Sequence, residues 1–225
     1  MNGVRPMSPH GRRAIASVGI GSHERLLRIA ARSFRPYAQR HGYDLHLHTQ
    51  SADTSRPPHW TKIRILRDLI DRYELVVWLD SDLVITDGRK DIARELESDC
   101  FLYLVEHAYN DERVPNTGVM MLRSGQTAAR FLEDAWSLDQ HLGHEWAEQG
   151  AIMELLGYDL ERKRPGAVTS YRAQTKLISP RWNSVFFAPA RRPRIRHFAA
   201  WPARTRTAAM LVATAEAEIR RAVSY

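Results

Sequence analysis

The sequence predicts an α/β fold with a mostly parallel central sheet flanked by helices. Residues 12–21, RRAIASVGIG, show the apolar run and closing glycine of a first strand that reaches a tight loop. Residues 59–73 place apolar side chains at helical spacing and lead directly into ELVVWL at 74–79. A helix that enters a strand apolar on both faces is typical of layered α/β domains with largely parallel sheets.

The remaining elements follow from helical and strand periodicity and from glycines at helix ends. Residues 43–49, YDLHLHT, alternate strictly and therefore predict a strand. We predict further strands and helices in the following order: a helix at 22–42, strands at 100–106 and 118–124, and helices at 126–142, 148–157 and 207–225.

The length and composition predict one folded domain over residues 1–225. Hydrophobic residues make up 44% and charged residues 26% of the chain, a balance that excludes disorder. No window approaches the roughly 18 apolar residues of a membrane span, and MNGVRPMSPHGRR lacks a secretion-signal core. We therefore expect a cytoplasmic protein. The single cysteine, Cys100, excludes an intrachain disulfide and a multi-thiolate zinc site, and its apolar neighbours indicate an inert thiol.

Charge is distributed unevenly along the chain, whose formal net charge is +7. Residues 24–161 contain 24 acidic and 16 basic side chains, whereas residues 162–215 contain 12 basic and no acidic ones. Such a segment is suited to nucleic acid, to an acidic membrane surface or to the phosphates of a small ligand.

Two aspartates, Asp80 and Asp82, follow the most apolar strand of the chain, in VVWLDSDLVITDG. Ligands of open α/β sheets bind at the carboxyl ends of strands, and a spacing of two in extended backbone directs both carboxylates to one face. Two such oxygen ligands suit Mg²⁺ or Mn²⁺ held together with substrate phosphates. The alternative is an exposed turn, since aspartate favours turns.

A phosphatase of the haloacid dehalogenase type is one enzyme class with an apolar strand before D-x-D, and Asp80 would then be its nucleophile. Such enzymes need a later lysine and a second acidic motif. The downstream lysines are Lys90, Lys163 and Lys176, and no G-D-x-x-x-D pattern follows. The motif also opens that fold as a rule, whereas here a long segment precedes it.

Histidines suggest two other metal sites, both less favoured. His46 and His48 share a face of the predicted strand but have no third ligand in sequence, so solvent-facing or core-edge positions are preferred. HEWAE at 144–148 has Glu148 where the zinc-protease motif H-E-x-x-H requires histidine.

Five landmarks occur in an order typical of one enzyme family. They are HWTKIRILRDLI, VVWLDSDLVITD, PNTGVMMLRSG, EQGAI and RIRHFAAWP. In this order the chain resembles GT-A-type retaining glycosyltransferases over residues 14–204. The similarity is greatest to the galactosyl-, mannosyl- and xylosyltransferases of the fungal and plant α-1,6 type. Glycogenin and bacterial lipopolysaccharide α-galactosyltransferases are more distant.

The resemblance implies a metal site formed by Asp80, Asp82 and His197. In the family such residues hold a divalent ion, usually Mn²⁺, that bridges the two phosphates of a nucleotide sugar. The chemistry agrees, because a Lewis acid stabilises the charge that develops on a departing diphosphate. Without the resemblance, His197 is a histidine of a basic loop.

The resemblance also implies donor-binding residues. Lys62 matches a lysine that reaches the donor phosphate or sugar, although it is equally well explained as a solvated helix residue. Gly19 and Gly21 are expected under the nucleotide, and a G-x-G without a third glycine argues against a dinucleotide fold. Ser81 lies between the aspartates. Arg204 and Arg206 stand where the family has a phosphate-contacting lysine, which this chain lacks.

Three residues are implied near the reacting sugar. Asn116 corresponds to an asparagine beside the donor sugar, with Gly118 permitting close backbone approach; a Pro-Asn turn before a strand is the alternative. Glu148 and Gln149 occupy the place of the family's Asp-Gln pair. Glutamate extends the carboxylate by one methylene, so electrostatic support of the transition state is favoured over a nucleophilic role. Ordinary helix-surface polar residues are the alternative there.

The resulting prediction is a metal-dependent retaining glycosyltransferase, with residues 1–161 binding metal and nucleotide sugar and residues 162–225 forming a basic acceptor-side segment and a helix. It implies Mn²⁺ or Mg²⁺, a UDP- or GDP-sugar donor, and a small-molecule, glycan or lipid-linked acceptor. No nucleic-acid partner is expected, and membrane contact is at most peripheral. A phosphatase and a nucleic-acid-binding domain are the alternative functions.

Overall fold

The structure, a computed structural model, describes residues 11–223. Residues 1–10, which include most of the segment predicted to lack a secretion signal, lie outside the described range, as do the last two residues of the predicted final helix. No helix within the described range has the length and apolar character needed to cross a bilayer.

Residues 11–223 form ten strands and six α-helices, and each predicted element is present within this range. The strands are β1 (Arg13–Val18), β2 (Asp44–His48), β3 (Leu75–Leu79), β4 (Leu83–Ile85), β5 (Leu102–Tyr109), β6 (Glu112–Arg123), β7 (Tyr158–Asp159), β8 (Arg164–Pro165), β9 (Thr175–Leu177) and β10 (Ile195–His197). The helices are α1 (His23–His41), α2 (Thr61–Ile70), α3 (Gln126–Ser137), α4 (Ala147–Leu155), α5 (Ser170–Ala173) and α6 (Ala203–Val223).

The main sheet has six strands in the order β2-β1-β3-β6-β5-β9. β1 is parallel to β2 and β3, β9 is parallel to β5, and β6 is antiparallel to both of its neighbours. Five strands therefore run in one direction and β6 alone in the other, which confirms the mostly parallel sheet. β6 is reversed because a short turn after Tyr109 joins it to β5, and such a turn can connect only antiparallel strands.

Strand β3 is buried on both faces, as its sequence predicts. Val76 and Trp78 pack into the core that α2, α3 and α4 form on one side of the sheet. Leu75, Val77 and Leu79 pack on the other side, where α1 and α6 contribute. Each side chain removed from water in this way stabilises the fold by roughly 1.5–3 kcal/mol. The sheet thus holds the end of β3 at a fixed place between two packed layers.

A second, smaller sheet extends the chain beyond β3. After a turn at residues 81–82 the chain enters β4, which pairs antiparallel with β10. In this register His197 is opposite Leu83. The pairing brings a residue near the end of the sequence next to the residues that follow β3.

We predict that Gly157→Ala destabilises the fold. Gly157 has a φ of +72°, and an added Cβ would lie 2.0 Å from the backbone oxygen of Ala167. The left-handed backbone alone costs roughly 1–2 kcal/mol for a residue with a side chain, and relief of the clash adds to this. Gly143→Ala is the matched control, because nothing lies within 4 Å of its added Cβ. Urea unfolding should show a lower midpoint only for Gly157→Ala. Equal midpoints for the two variants would contradict the strain and clash expected at position 157.

Candidate active site

Two carboxylates and a histidine meet at the carboxyl end of β3. Asp80 and Asp82 follow this strand, and His197 ends β10. One ligand atom from each of the three lies within 4.8 Å of the others. Carboxylate oxygens with one imidazole nitrogen suit Mn²⁺ or Mg²⁺, so the donor set fits the ion that the sequence predicts. These three residues are called the Asp–Asp–His cluster below.

The two aspartates converge through a turn, whereas the sequence spacing predicts extended backbone. Residues 81–82 form this turn, because β4 leaves the main sheet to pair with β10. The Asp80 N–H donates to the Gly118 carbonyl at 2.9 Å, and the Asp82 carbonyl accepts from the Phe198 N–H at 3.0 Å. Backbone hydrogen bonds on both sides therefore fix the turn.

Asp82 is a buried carboxylate that stays ionised. His197 Nε2 lies 3.2 Å from Asp82 Oδ1, and Arg206 Nη1 lies 3.4 Å from Asp82 Oδ2. Burial alone would raise the pKa of Asp82, but the charge and hydrogen bond of His197 and the charge of Arg206 lower it to about 2. At neutral pH the carboxylate is therefore available as an anionic ligand.

Lys62 is buried, with 4% of its surface exposed, so the solvated interpretation is excluded. Its Nζ lies 2.8 Å from Glu148 Oε1 and 3.2 Å from Asp80 Oδ1, and it also donates to the hydroxyl and carbonyl of Thr117. Burial on its own lowers the pKa of Lys62, but the charges of Asp80 and Glu148 and their hydrogen bonds raise it above its ordinary value. Lys62 is thus a cation that joins two carboxylates.

Glu148 and Gln149 lie in the first turn of α4 and face the same cleft as the cluster. Glu148 is 7% exposed. The Gln149 Oε1 accepts from the Thr117 N–H at 3.3 Å. Helix α4 therefore presents a carboxylate and an amide to the site, and these residues are not ordinary surface polar groups.

Asn116 lies inside β6, so it does not belong to a turn that precedes the strand. The β5–β6 register shifts here, with Leu104 opposite Met120 but Val105 opposite Asn116. Such a bulge redirects side chains. Asn116 Oδ1 accepts from the Gly118 N–H at 2.9 Å, and the segment faces the cleft.

Gly118 permits the closest packing in the site. A Cβ at this position would lie 2.3 Å from His197 Cε1 and 2.7 Å from His197 Nδ1. The group packed against Gly118 is thus the histidine ring, and close approach of its backbone to a donor sugar stays a prediction.

The glycines after β1 have different environments. A Cβ at Gly19 would lie 2.5 Å from the His23 carbonyl oxygen and 2.7 Å from Leu27 Cβ, so Gly19 serves the packing of α1. Gly21 has a φ of +59° and open space around it. His23, the first residue of α1, contacts the Ser81 hydroxyl at 3.3 Å and lines the cleft.

The cleft that contains these residues has a volume of about 770 Å³. Eight residues predicted for the site line it, namely Lys62, Asp80, Ser81, Asp82, Asn116, Glu148, Gln149 and His197. Gly19, Gly21, Gly118, Arg204 and Arg206 do not. The sequence had no direct indication of Thr117, His107 or Asn183, which support these residues by hydrogen bonds.

Arg204 is exposed, whereas Arg206 reaches Asp82. The predicted last helix begins at 207, but α6 begins at Ala203. Because successive helical residues are rotated by about 100°, positions 204 and 206 face different directions. The arginine of the site is therefore Arg206.

Most arginines of the acid-free segment do not line the cleft. Several line a separate groove of about 810 Å³, which shares no lining residue with the cleft. Its cationic residues are Arg89, Lys90, Arg181, Arg192, Arg194 and Arg196, with Arg220.

The alternative metal sites find no support within residues 11–223. His46 and His48 have stacked rings 6.5 Å apart, and no group of three metal-ligating side chains includes them or His144. Cys100 is partly buried, and this burial together with nearby acidic charges raises the pKa of its thiol, consistent with an unreactive cysteine.

The sequence model of the galactosyl transferase GMA12/MNN10 family matches residues 15–102, the part of the chain from β1 to β5. No curated protein sequence matches the chain. Solved structures similar in fold include the following three. A glycosyltransferase involved in glycosylation of the major capsid of PBCV-1 has a TM-score of 0.69 and 17% identity, covering 89% of this chain and 99% of that one.

The other two are, by name, a streptococcal glycosyltransferase and a galactosyltransferase. GlyE of Streptococcus pneumoniae TIGR4 has a TM-score of 0.62 and 15% identity, covering 95% of this chain and 64% of the GlyE chain. Galactosyltransferase LgtC has a TM-score of 0.57 and 10% identity, covering 88% of this chain and 95% of its own.

The fold is therefore that of the GT-A glycosyltransferases. The protein is a glycosyltransferase, and the resemblance predicted from its sequence is confirmed by the family match over residues 15–102.

We predict that Lys62→Met destabilises the protein by about 3–5 kcal/mol, because it leaves the buried Glu148 and the partly buried Asp80 without their cation. Arg64→Met, on the same helix, removes an exposed pair with Asp68 and should cost at most about 1 kcal/mol. Adding Glu148→Gln to Lys62→Met should restore part of the loss. Urea denaturation measures the free energy of unfolding of all three variants. Equal losses of stability in Lys62→Met and Arg64→Met would contradict the role assigned to Lys62 as the cation between Asp80 and Glu148.

Proposed function

We propose that the protein is a metal-dependent, retaining glycosyltransferase that moves a hexose or pentose from a UDP- or GDP-sugar to a hydroxyl acceptor. The observation that carries this proposal is the Asp–Asp–His cluster at the carboxyl end of β3, within the cleft of about 770 Å³. LgtC, similar in fold, has been crystallised with donor and acceptor sugar analogues.

The bound ion, Mn²⁺ or Mg²⁺, would supply Lewis-acid stabilisation of the departing diphosphate. Asp80, Asp82 and His197 would hold it. Arg206 lies beside Asp82 and can form charge-assisted hydrogen bonds to a phosphate at the same edge of the cleft. Gly21 and Ser81, from the loops after β1 and β3, are proposed to approach the nucleotide.

Glu148 is proposed to support positive charge that develops on the donor sugar. Its Oε1 is held 2.8 Å from Lys62 Nζ, which fixes the carboxylate and reduces its nucleophilicity. Lys62 is thus proposed to contribute by holding Asp80 and Glu148. Asn116 and Gln149 use their side-chain oxygens for internal bonds to Gly118 and Thr117, so their amide hydrogens are the groups proposed to contact sugar oxygens.

The division of labour along the chain is also part of this proposal. Residues 1–161 would bind metal and nucleotide sugar, and residues 162–225 would form the acceptor side, within one domain. Both parts contribute to the cluster, since His197 comes from the second and the aspartates from the first. The acceptor class is a small molecule, a glycan or a lipid-linked sugar.

The phosphatase alternative requires a free Asp80 nucleophile and a lysine that follows it in sequence. Asp80 Oδ1 accepts from Trp78 Nε1 at 2.6 Å and lies 3.2 Å from Lys62. Within the described residues, Lys62 is the lysine that lines the cleft, and it precedes the aspartates. These contacts favour a ligand role for Asp80.

We expect that a nucleotide sugar and Mn²⁺ together raise the melting temperature of the protein, and that neither does so alone to the same extent. Ligand at 100 times its Kd should add about 2.7 kcal/mol of stability. A panel of UDP- and GDP-sugars, assayed by differential scanning fluorimetry with and without Mn²⁺, identifies the donor.

Asp82→Asn should abolish the joint shift, because it removes an anionic ligand at nearly constant volume. Asp68→Asn is the control, since Asp68 lies exposed on α2 and outside the cleft. An unchanged response in Asp82→Asn would exclude the proposed site. Salt-sensitive binding to duplex DNA, without any response to donor and metal, would favour the nucleic-acid alternative instead.

Retention of configuration is tested with the donor found in that panel. Slow hydrolysis of the donor, followed by proton NMR before the sugar mutarotates, should first release the anomer present in the donor. Release of the opposite anomer would contradict retention and leave sugar transfer itself intact.

A further inference from the structure

A chain of buried hydrogen bonds lies behind the Asp–Asp–His cluster. Asn183 has 0% of its surface exposed and follows a 3₁₀ turn at Pro180–Trp182. Its Nδ2 lies 2.7 Å from Asn116 Oδ1, and its Oδ1 lies 2.9 Å from His197 Nδ1. One amide therefore joins β6 to the histidine of the cluster.

The directions of these hydrogen bonds follow from a backbone N–H, which can only donate. The backbone N–H of Gly118 donates to Asn116 Oδ1, so that atom is an oxygen acceptor. The Asn183 group beside it must then be the NH₂ donor, which directs the Asn183 oxygen to His197. A carbonyl oxygen only accepts, so His197 Nδ1 carries the hydrogen.

With Nδ1 donating to Asn183, Nε2 is the ring nitrogen that remains for the cluster, where Asp82 accepts its hydrogen as long as no cation takes that place. Nε2 lies 3.2 Å from Asp82 Oδ1, on the side of the ring that faces the cluster. Metal-ligating histidines generally donate their other ring N–H to an oxygen, which orients the ring and increases its basicity as a ligand. The Asn183 contact has this form.

Asn183 is itself fixed by its backbone. Its carbonyl oxygen accepts from His107 Nε2 at 2.6 Å, and its N–H donates to the Pro180 carbonyl at 3.1 Å. On another side of the His197 ring, Gly118 leaves no room for a Cβ. The ring is thus held by packing as well as by one hydrogen bond.

We propose that Asn183 is a positioning residue of the metal site, which holds His197 in the Nδ1–H form so that Nε2 is offered to the cation. This proposal rests on the metal-dependent function proposed above. No sequence motif of the site includes Asn183.

The first test reads the protonation of the His197 ring in metal-free protein. In long-range ¹H–¹⁵N spectra at pH 8, assigned with His197→Gln, the wild type should show a hydrogen on His197 Nδ1. Asn183→Leu, of similar volume but without a hydrogen bond, should lose this hydrogen and keep the one on Nε2. Asn183→Asp keeps an oxygen acceptor for His197 Nδ1 but adds a charge and a second carboxylate oxygen opposite Asn116 Oδ1, so it should retain the hydrogen on Nδ1 at some cost in stability.

The second test measures the Kd of Mn²⁺ alone by calorimetry. Asn183→Leu should weaken binding by about 10–100-fold, and Asn183→Asp by much less. In a His197→Gln background, Asn183→Leu should cause no further loss. Gln174→Leu, which removes an exposed amide bonded to the Ser170 carbonyl, is the control and should leave the Kd unchanged.

The outcomes separate the two proposals. A wild-type His197 without a hydrogen on Nδ1, or an unchanged Mn²⁺ Kd in folded Asn183→Leu, would overturn the role of Asn183 and leave the proposed function standing. If Asn183→Leu does not fold, the Asn183→Asp variant decides, and loss of the hydrogen on Nδ1 in it would overturn the role. Absence of Mn²⁺ binding to the wild type, both alone and with the donor found in the panel, would overturn both proposals.

Discussion

Compensation of buried charge at the carboxyl end of β3 is the interaction on which the site depends. Three carboxylates, those of Asp80, Asp82 and Glu148, lie in a cleft between packed layers, where an uncompensated charge is costly. Lys62 neutralises two of them, and Arg206 lies beside the third. Asp80 and Asp82 both line the cleft. A further cation would therefore be stabilised most there.

Two irregularities of the sheet bring the site together. The turn after β3 sends the chain into β4, and the pairing of β4 with β10 delivers His197 to the aspartates. The register shift between β5 and β6 lies beside Asn116, which lines the cleft, and Gly118, which packs against the His197 ring. Both are departures from regular pairing, and departures of this kind are common where a sheet carries a binding site.

Sequence patterns predicted the elements well because their causes are local. The helical spacing of apolar residues in α2 and the continuous apolar run of β3 depend only on neighbouring residues, and both elements are present. Predictions were less complete where the interacting residues are far apart in the sequence. The spacing of Asp80 and Asp82 suggested extended backbone, since nothing nearby reveals that β4 leaves the sheet. The sequence named both Arg204 and Arg206, and only the start of α6 at Ala203 and the contact with Asp82 distinguish them.

The sequence by itself determined the α/β class, the order of the elements and the acidic pair at the end of the most apolar strand. It could do so because periodicity and apolar runs are properties of residues that are adjacent in the chain. Only the tertiary structure decided that Lys62 is buried between Asp80 and Glu148, and that Asn183 lies behind His197. These contacts join positions far apart in the chain. Their energies depend on distances and desolvation that exist only once the layers have packed.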